Sequence, residues 1–268
     1  MPIDYVHGYD DLEARRLQDQ AGALTDLLHS DTRYAPGEEI LEVGCGVGAQ
    51  TVTLLRNSPK ARFTCIDRSA ASLEQARSAV ERAGFADVRF LVADVFALPF
   101  PPASFNHVFL CFVLEHLSAP ASALREIRTV LRPGGTLTVI EGDHGTACFH
   151  PDSSYARRAI ACQVELQARA GGDAMIGRRL FPLLADAGFA DVRVSPRLVY
   201  VDGSRPQLID SFTRKTFTSM IEGVREAAVT SGLATADDFD RGAADLRRTA
   251  SPDAVFCYTF FKAFARAD

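Results

Sequence analysis

Ile40-Leu41-Glu42-Val43-Gly44-Cys45-Gly46-Val47-Gly48-Ala49-Gln50-Thr51 is the stretch that decides the reading of this chain. Apolar residues around a single acid predict a buried parallel strand, which runs straight into a turn with glycine at 44, 46 and 48. Glycine at alternate positions lets the backbone take positive φ and lets a ligand approach where a Cβ would stand. The turn opens a helix from Gln50 to Asn57, whose free N–H groups suit the anionic end of a ligand. Strand, glycine turn and helix together predict a nucleotide-type cofactor site.

Working outward, strands and helices alternate. Ala61–Ile66 reads as a strand ending at Asp67, and Ser69 caps a helix through Ala83 that Gly84 stops. Val88–Val92 is a third strand, ending at Asp94, and Phe105–Cys111 a fourth. A helix over Ser118–Leu131 sets Leu124, Ile127 and Leu131 on one face. Arg132-Pro133-Gly134-Gly135 then reads as a tight turn into a fifth strand, Thr136–Ile140. Apolar strands separated by helices predict an α/β chain whose parallel sheet is covered on both faces. Upstream, Asp10 and Glu13 mark a helix start at Asp11, and Pro36-Gly37 breaks that helix before the first strand. Past Glu141 the pattern loosens into a loop, Gly142–Pro151, then helices over Ser153–Ala170 and Gly177–Ala187 and a strand over Val192–Val201. Helical sequence from Arg205 to Thr249 separates that strand from a last one, Ala254–Phe264. The segments around strand six exceed ordinary connections and read as lids or dimer surfaces.

Composition narrows the function classes. The chain has 268 residues, 47% of them hydrophobic, enough for a sizeable core without disulfide staples. A net charge of -5 provides no general field for a nucleic acid backbone. The six cysteines (45, 65, 111, 148, 162 and 257) show no C-x-x-C and no metal spacing. No apolar run approaches the roughly 20 residues of a membrane span. A soluble, cytoplasmic protein without nucleic acid or membrane partners is therefore expected.

A dinucleotide fingerprint is G-x-G-x-x-G, whereas this turn is G-x-G-x-G with Glu42 at the strand end. Over Ile40–Glu141 the chain resembles the class I S-adenosylmethionine-dependent methyltransferases. The resemblance rests on Leu-Glu-Val-Gly-Cys-Gly-Val-Gly, Asp67, Asp94 and Leu131-Arg132-Pro133-Gly134-Gly135 in order. It implies a Rossmann-like, seven-stranded, mostly parallel sheet with an antiparallel last strand, plus helical insertions around strand six. It divides the chain into a cover segment and helix (1–36), a cofactor-binding core (37–145) and a C-terminal part with inserted lid or substrate elements (146–268). S-adenosylmethionine is then the cofactor. Glu42, Gly44, Cys45, Gly46 and Gly48 would surround its methionine end and Asp67 its ribose, with Arg68 a further cofactor contact. Asp94, Val95 and Phe96 would hold the adenine, while Cys111 and Phe112 pass beneath the sulfonium. Cys45 itself reads as a small packing residue and no metal is expected.

Methyl transfer is an in-line displacement, so holding the acceptor atom near the methyl group is much of the catalysis. A base matters when the acceptor must lose a proton. The candidates are His144, in Glu141-Gly142-Asp143-His144-Gly145, and Glu115, in the Glu115-His116 pair after strand four. Tyr9 joins them from an aromatic lead, Tyr5-Val6-His7-Gly8-Tyr9, read as a cover over the cofactor. Tyr5, Tyr9, His116, Asp143, His144 and Phe149 are the expected acceptor contacts. His150 reads instead as a residue that orders the loop. Phe149, Tyr155, Phe181, Tyr200, Phe212, Phe217 and Met220 are candidate walls of an apolar pocket, most of them serving as core.

Strand four lacks the Asn/Asp-Pro-Pro-Tyr/Phe run of enzymes that methylate exocyclic or amide nitrogens, and the Pro-Cys of cytosine-C5 enzymes. The chain is more similar to type 11 small-molecule enzymes, including those tailoring specialised metabolites such as cyclodipeptides at an amide nitrogen or indole carbon. A small-molecule acceptor is expected, with a homodimer through the inserted helices. Three rivals stay open: an RNA or protein methyltransferase, a non-catalytic S-adenosylmethionine-binding partner protein, and an NAD-dependent oxidoreductase.

Overall fold

The computed structural model describes residues 24–268. Tyr5, Tyr9 and the start of the first expected helix lie outside the described residues. Residues 24–29 are helical and bury Leu24 and Leu28. Lys262 ties the chain after them to the sheet, its Nζ donating to Leu28 O, Asp31 Oδ1 and Thr32 Oγ1 at 2.8, 2.6 and 2.6 Å. His29, 1% exposed, lies with its ring 5.7 Å from that of Phe109 and its Nε2 2.7 Å from Gln50 Oε1.

Seven strands form one sheet: β1 (Glu39–Val43), β2 (Arg62–Asp67), β3 (Arg89–Val92), β4 (Phe105–Cys111), β5 (Leu131–His150), β6 (Ala190–Val201) and β7 (Val255–Arg266). Their order is β3-β2-β1-β4-β5-β7-β6. Pairs from β3 through β5 are parallel, and β7 runs antiparallel to both β5 and β6. This is the expected mostly parallel sheet with an antiparallel last strand. Alternation along each strand feeds two cores. Ile40 of β1 and Phe109 of β4 enter one, and Leu41, Val43, Val108 and Leu110 the other.

The helices follow from local signals and from what they bury. α1 (Thr51–Asn57) and α2 (Ala70–Arg82) cover the first core, with Ser69 Oγ accepting from Ser72 N at 3.1 Å as the expected cap. α3 (Pro120–Val130) begins with proline in its first turn and lays Ala123, Leu124, Ile127 and Val130 on the second core. Each fully buried Leu or Ile there contributes about 1.5–3 kcal/mol. α4 (Ser154–Arg169) lies on the first core, capped by Ser153, and α5 (Leu180–Asp186) on the second.

Two segments depart from expectation. The fifth strand spans Leu131–His150 rather than Thr136–Ile140. Arg132–Gly135 is a bulge, because the β4 register steps from Phe105↔Leu131 to His107↔Thr136. Gly142–Pro151 is mostly strand too: Asp143 pairs with Thr259 and Cys148 with Cys257, which leaves residues 144–147 as a second bulge. Glycines and polar residues that favour a turn locally become strand because β7 supplies their backbone partners. The late helical sequence resolves into Pro206–Leu208, a π-helix over Ile209–Thr218, Ser219–Gly223, α6 (Arg225–Thr230) and α7 (Ala236–Arg248). The wider π turn brings Phe212 and Phe217, five residues apart, onto one face, where both pack against Phe256 and Tyr258.

Candidate functional site

Strand order reverses between β1 and β4, and a crevice at the carboxyl ends of the strands is where a doubly wound sheet takes a ligand. The glycine turn borders that crevice. Gly46 and Gly48 both have positive φ, +51° and +77°. A Cβ on Gly48 would meet Ala76 Cα at 2.9 Å, so this glycine is needed to seat α2. A Cβ on Gly46 would meet nothing within 4 Å, so its face is open. The Gly46 N–H donates to Asp67 Oδ2 at 2.9 Å, and Ser69 N donates to Asp67 Oδ1 at 2.9 Å. These bonds hold the carboxylate at the end of β2 against the turn.

At the next strand end Asp94 is exposed and accepts from Phe96 N at 2.9 Å, with Val95 buried and Phe96 exposed beside it. Arg68 is exposed, while Cys45 and Cys111 are buried. Phe112 carries the positive φ of 59°, a strained non-glycine conformation at the end of β4. Glu42 is 2% exposed, its Oε2 3.4 Å from Cys65 Sγ, and burial pushes its carboxyl up to about 7. An open glycine face, a fixed carboxylate and an exposed aromatic at successive strand ends match the chemistry of a methionine end, a ribose and an adenine. The residues fit S-adenosylmethionine.

On the other side of the crevice, acids gather beyond β4 and within β5. Glu141 is fully buried, and its Oε1 accepts from Val113 N at 3.1 Å and Leu114 N at 2.7 Å. Burial, and then nearby Glu115, hold this carboxyl well above its ordinary range. Glu115 is itself buried, with its carbonyl accepting from Gln167 Nε2 at 2.9 Å and Asp173 N at 2.8 Å. His116 Nε2 stands 3.6 Å from Glu115 Oε1. Asp143 is committed to a bidentate pair with Arg178, at 2.5 and 2.7 Å, and also accepts from Gly145 N.

His144 occupies the bulge, 6% exposed. Its Nδ1 lies 3.1 Å from both Ala174 O and Tyr258 Oη. A carbonyl oxygen can only accept, so Nδ1 must carry the proton. In the neutral ring the lone pair is therefore on Nε2, the nitrogen able to take up a proton. Phe217 and Tyr258 flank the ring at centroid distances of 5.8 and 5.7 Å, and Phe260 bridges Tyr258 to Phe112.

The structure thus brings Glu115, His116, Asp143 and His144 to one end of the sheet. Phe149 instead stacks on Phe256 in the core, at 6.3 Å and 6°. Phe181 and Tyr200 are exposed, and Tyr155 sits between the guanidinium groups of Arg158 and Arg241. Of the candidate walls, Phe212 and Phe217 face Tyr258, which the sequence reading missed along with Gln167 and Arg178. The alternation Phe256, Tyr258, Phe260 was the available signal, since it sets three aromatics on one face of β7. Among the described residues no helix is long and apolar enough to cross a membrane, and no group of His, Cys, Asp and Glu could hold a metal ion.

Comparison with known proteins agrees with this geometry. Residues 41–139 match the family model of a methyltransferase domain. An uncharacterised 37.1 kDa transposon protein of Streptomyces fradiae is 37% identical over 163 residues, 60% of this chain and 46% of that one. The 27-O-demethylrifamycin SV methyltransferase of Amycolatopsis mediterranei is 33% identical over 134 residues, 50% and 49% of the two chains. These matches span about half the length of each relative. The cyclase SpnF has the same fold, with a TM-score of 0.56 over 92% of this chain and 80% of its own, at 20% identity.

Proposed function

Through residues 41–139 the chain belongs to the class I S-adenosylmethionine-dependent methyltransferases, and from that premise we propose that it methylates a small aromatic or heterocyclic acceptor, a specialised metabolite. The observation that carries the reading is the enclosure of His144 by aromatic side chains, 6% exposed, beside the crevice that the glycine turn borders. Bound S-adenosylmethionine supplies an electrophilic methyl group on a sulfonium. The residues of the chain do the rest. The Gly44–Gly48 backbone and Asp67 hold the amino-acid and ribose parts, and Asp94 with Phe96 the base. Phe112, Phe217 and Phe260 supply the apolar ring faces against which a flat acceptor would lie.

His144 Nε2 takes the proton that a hydroxyl, N–H or C–H acceptor releases as its new bond forms. Ala174 O keeps the other nitrogen protonated, so the base needs no tautomer change before it acts. Gln167 and Asp173 N fix the backbone of Glu115, whose carboxylate lies beside His116. A specialised-metabolite acceptor is favoured by the similarity to the 27-O-demethylrifamycin SV methyltransferase. A tryptophan-containing cyclodipeptide rests on the sequence resemblance alone.

The test is incubation with methyl-labelled S-adenosylmethionine and a panel of phenolic polyketides, quinols and cyclodipeptides, alongside bulk RNA and protein. Label is expected in a small aromatic. Label in RNA or protein, or none in any acceptor while the donor still binds, would overturn the reading. His144→Ala is expected to cut kcat at least a hundredfold with donor affinity unchanged, the usual scale for a lost general base.

A further inference from the structure

Cys148 and Cys257 are Cα partners across the antiparallel β5–β7 ladder, and both are free thiols. The next pair along, Phe149 and Phe256, stacks on the buried face. Alternation therefore puts the two sulfurs together on the opposite face, with Cys148 exposed and Cys257 half-buried. Directly opposed residues of an antiparallel pair have Cα atoms about 4.5 or 5.5 Å apart. Either spacing lies inside the roughly 4.4–6.8 Å range that a disulfide spans. The Cα spacing of such a pair is therefore compatible with a disulfide.

We propose that Cys148 and Cys257 form a reversible thiol–disulfide site, oxidised by a low-molecular-weight disulfide of the glutathione type. Burial, and then the neighbouring Cys148 thiol, push the Cys257 thiol up to about 11, so exposed Cys148 attacks first. Its thiolate bonds to one sulfur of the small disulfide, whose S–S bond breaks and releases one small thiolate. The Cys257 sulfur, losing its proton, then attacks the Cys148 sulfur and expels the second small thiolate. Two protein S–H bonds are exchanged for one S–S bond, and the oxidant leaves as two thiols. The remaining cysteines stay out of this chemistry: Cys45, Cys65, Cys111 and Cys162 are all buried.

The bridge lies beside the site proposed above. Cys148 closes the bulge that carries His144, and Cys257 adjoins Tyr258, which bonds His144. A disulfide there fixes the two strands on either side of that contact and leaves β1 and β2 of the donor side untouched. Its effect on activity rests on the proposed function; its formation does not.

The experiment equilibrates the protein in glutathione buffers of stepped ratio and reads intact mass, free-thiol count and the cross-linked peptide. Expected are the loss of two hydrogens and two thiols, a peptide joining residues 148 and 257, and reversal by dithiothreitol. Cys257→Ser should convert the bridge into a glutathione adduct on Cys148, and Cys148→Ser should abolish both products. A wild-type protein that stops at the adduct, or keeps all six thiols in fully oxidising buffer, overturns the proposal. Once an acceptor is known, oxidation should raise its KM at least threefold with donor affinity constant, and Cys148→Ser should be insensitive. Absence of any methyl transfer would count against the proposed function and leave the mass result standing.

Discussion

Proton release on donor binding follows from the burial of Glu42. The carboxyl is 2% exposed beneath the glycine turn, and burial pushes it up to about 7 in the free protein. The amino-acid end of S-adenosylmethionine carries an ammonium group, which favours a carboxylate nearby and returns the carboxyl toward its ordinary range. The sign follows directly. The free protein holds the proton more tightly than the complex, so binding expels it and affinity rises with pH. At pH 8 about nine tenths of Glu42 is ionised, and at pH 6 about one tenth, so donor affinity should fall about tenfold, or ~1.4 kcal/mol, between them. Titration calorimetry in two buffers of different ionisation enthalpy measures both the affinity and the number of protons released. Near pH 6 that number should approach one. Glu42→Gln should bind with no pH slope over this range. Equal affinity at pH 6 and 8 with no proton released, or an unchanged slope in Glu42→Gln, would refute the assignment of Glu42 to the methionine end.

Two glycines of the turn should fail in opposite ways. Gly48→Ala places a methyl group 2.9 Å from Ala76 Cα at a φ of +77°, and should cost about 2–4 kcal/mol by urea unfolding. Gly46→Ala has open space and should cost only about 1–2 kcal/mol of left-handed strain, yet weaken donor binding at least tenfold in calorimetry. His29 supplies an acid-sensitive element: burial lowers it to about 4, below the ordinary value of 6.5. Its stabilising contribution is complete above pH 6.5 and is lost as pH falls toward 4, about 2 kcal/mol between pH 7 and pH 5. His29→Gln should remove that part of the pH dependence, and an unchanged slope in the variant would exclude His29 as its source.

How far the sequence is legible depends on where each contact partner lies in the chain. The strand, glycine turn and helix over 40–57 are specified by their own residues, and Ser69 caps α2 as its neighbours predict. The strand order and the antiparallel β7 came with that motif series. Residues 142–150 behaved differently. Gly142, Asp143 and Gly145 favour a turn locally, and the strand forms only because β7, more than a hundred residues away in the chain, pairs with it. Separation in the chain, 30 residues to Ala174 and 114 to Tyr258, also hid the tautomer of His144. Asp143 looked like a free acid in sequence because nothing there announces Arg178. Phe149 and Phe181 looked like pocket walls because aromatic residue type does not tell which face of a strand or helix is buried; one lies in the core and the other at the surface.

The length of β5 carries it past the end of the family match. The family match stops at residue 139, while the strand that holds it continues to His150. The family model therefore ends partway along a single hydrogen-bonded segment, one residue before Ile140 and two before Glu141. Upstream of that point lie the glycine turn and the parallel strands, and downstream the bulge, β6, β7 and the late helices. A chimaera spliced between Val139 and Glu141 would keep the β4–β5 pairing as far as Val139 and exchange the rest of β5 together with β6, β7 and the late helices. Such a splice replaces one contiguous tail without disturbing a single residue of the glycine turn.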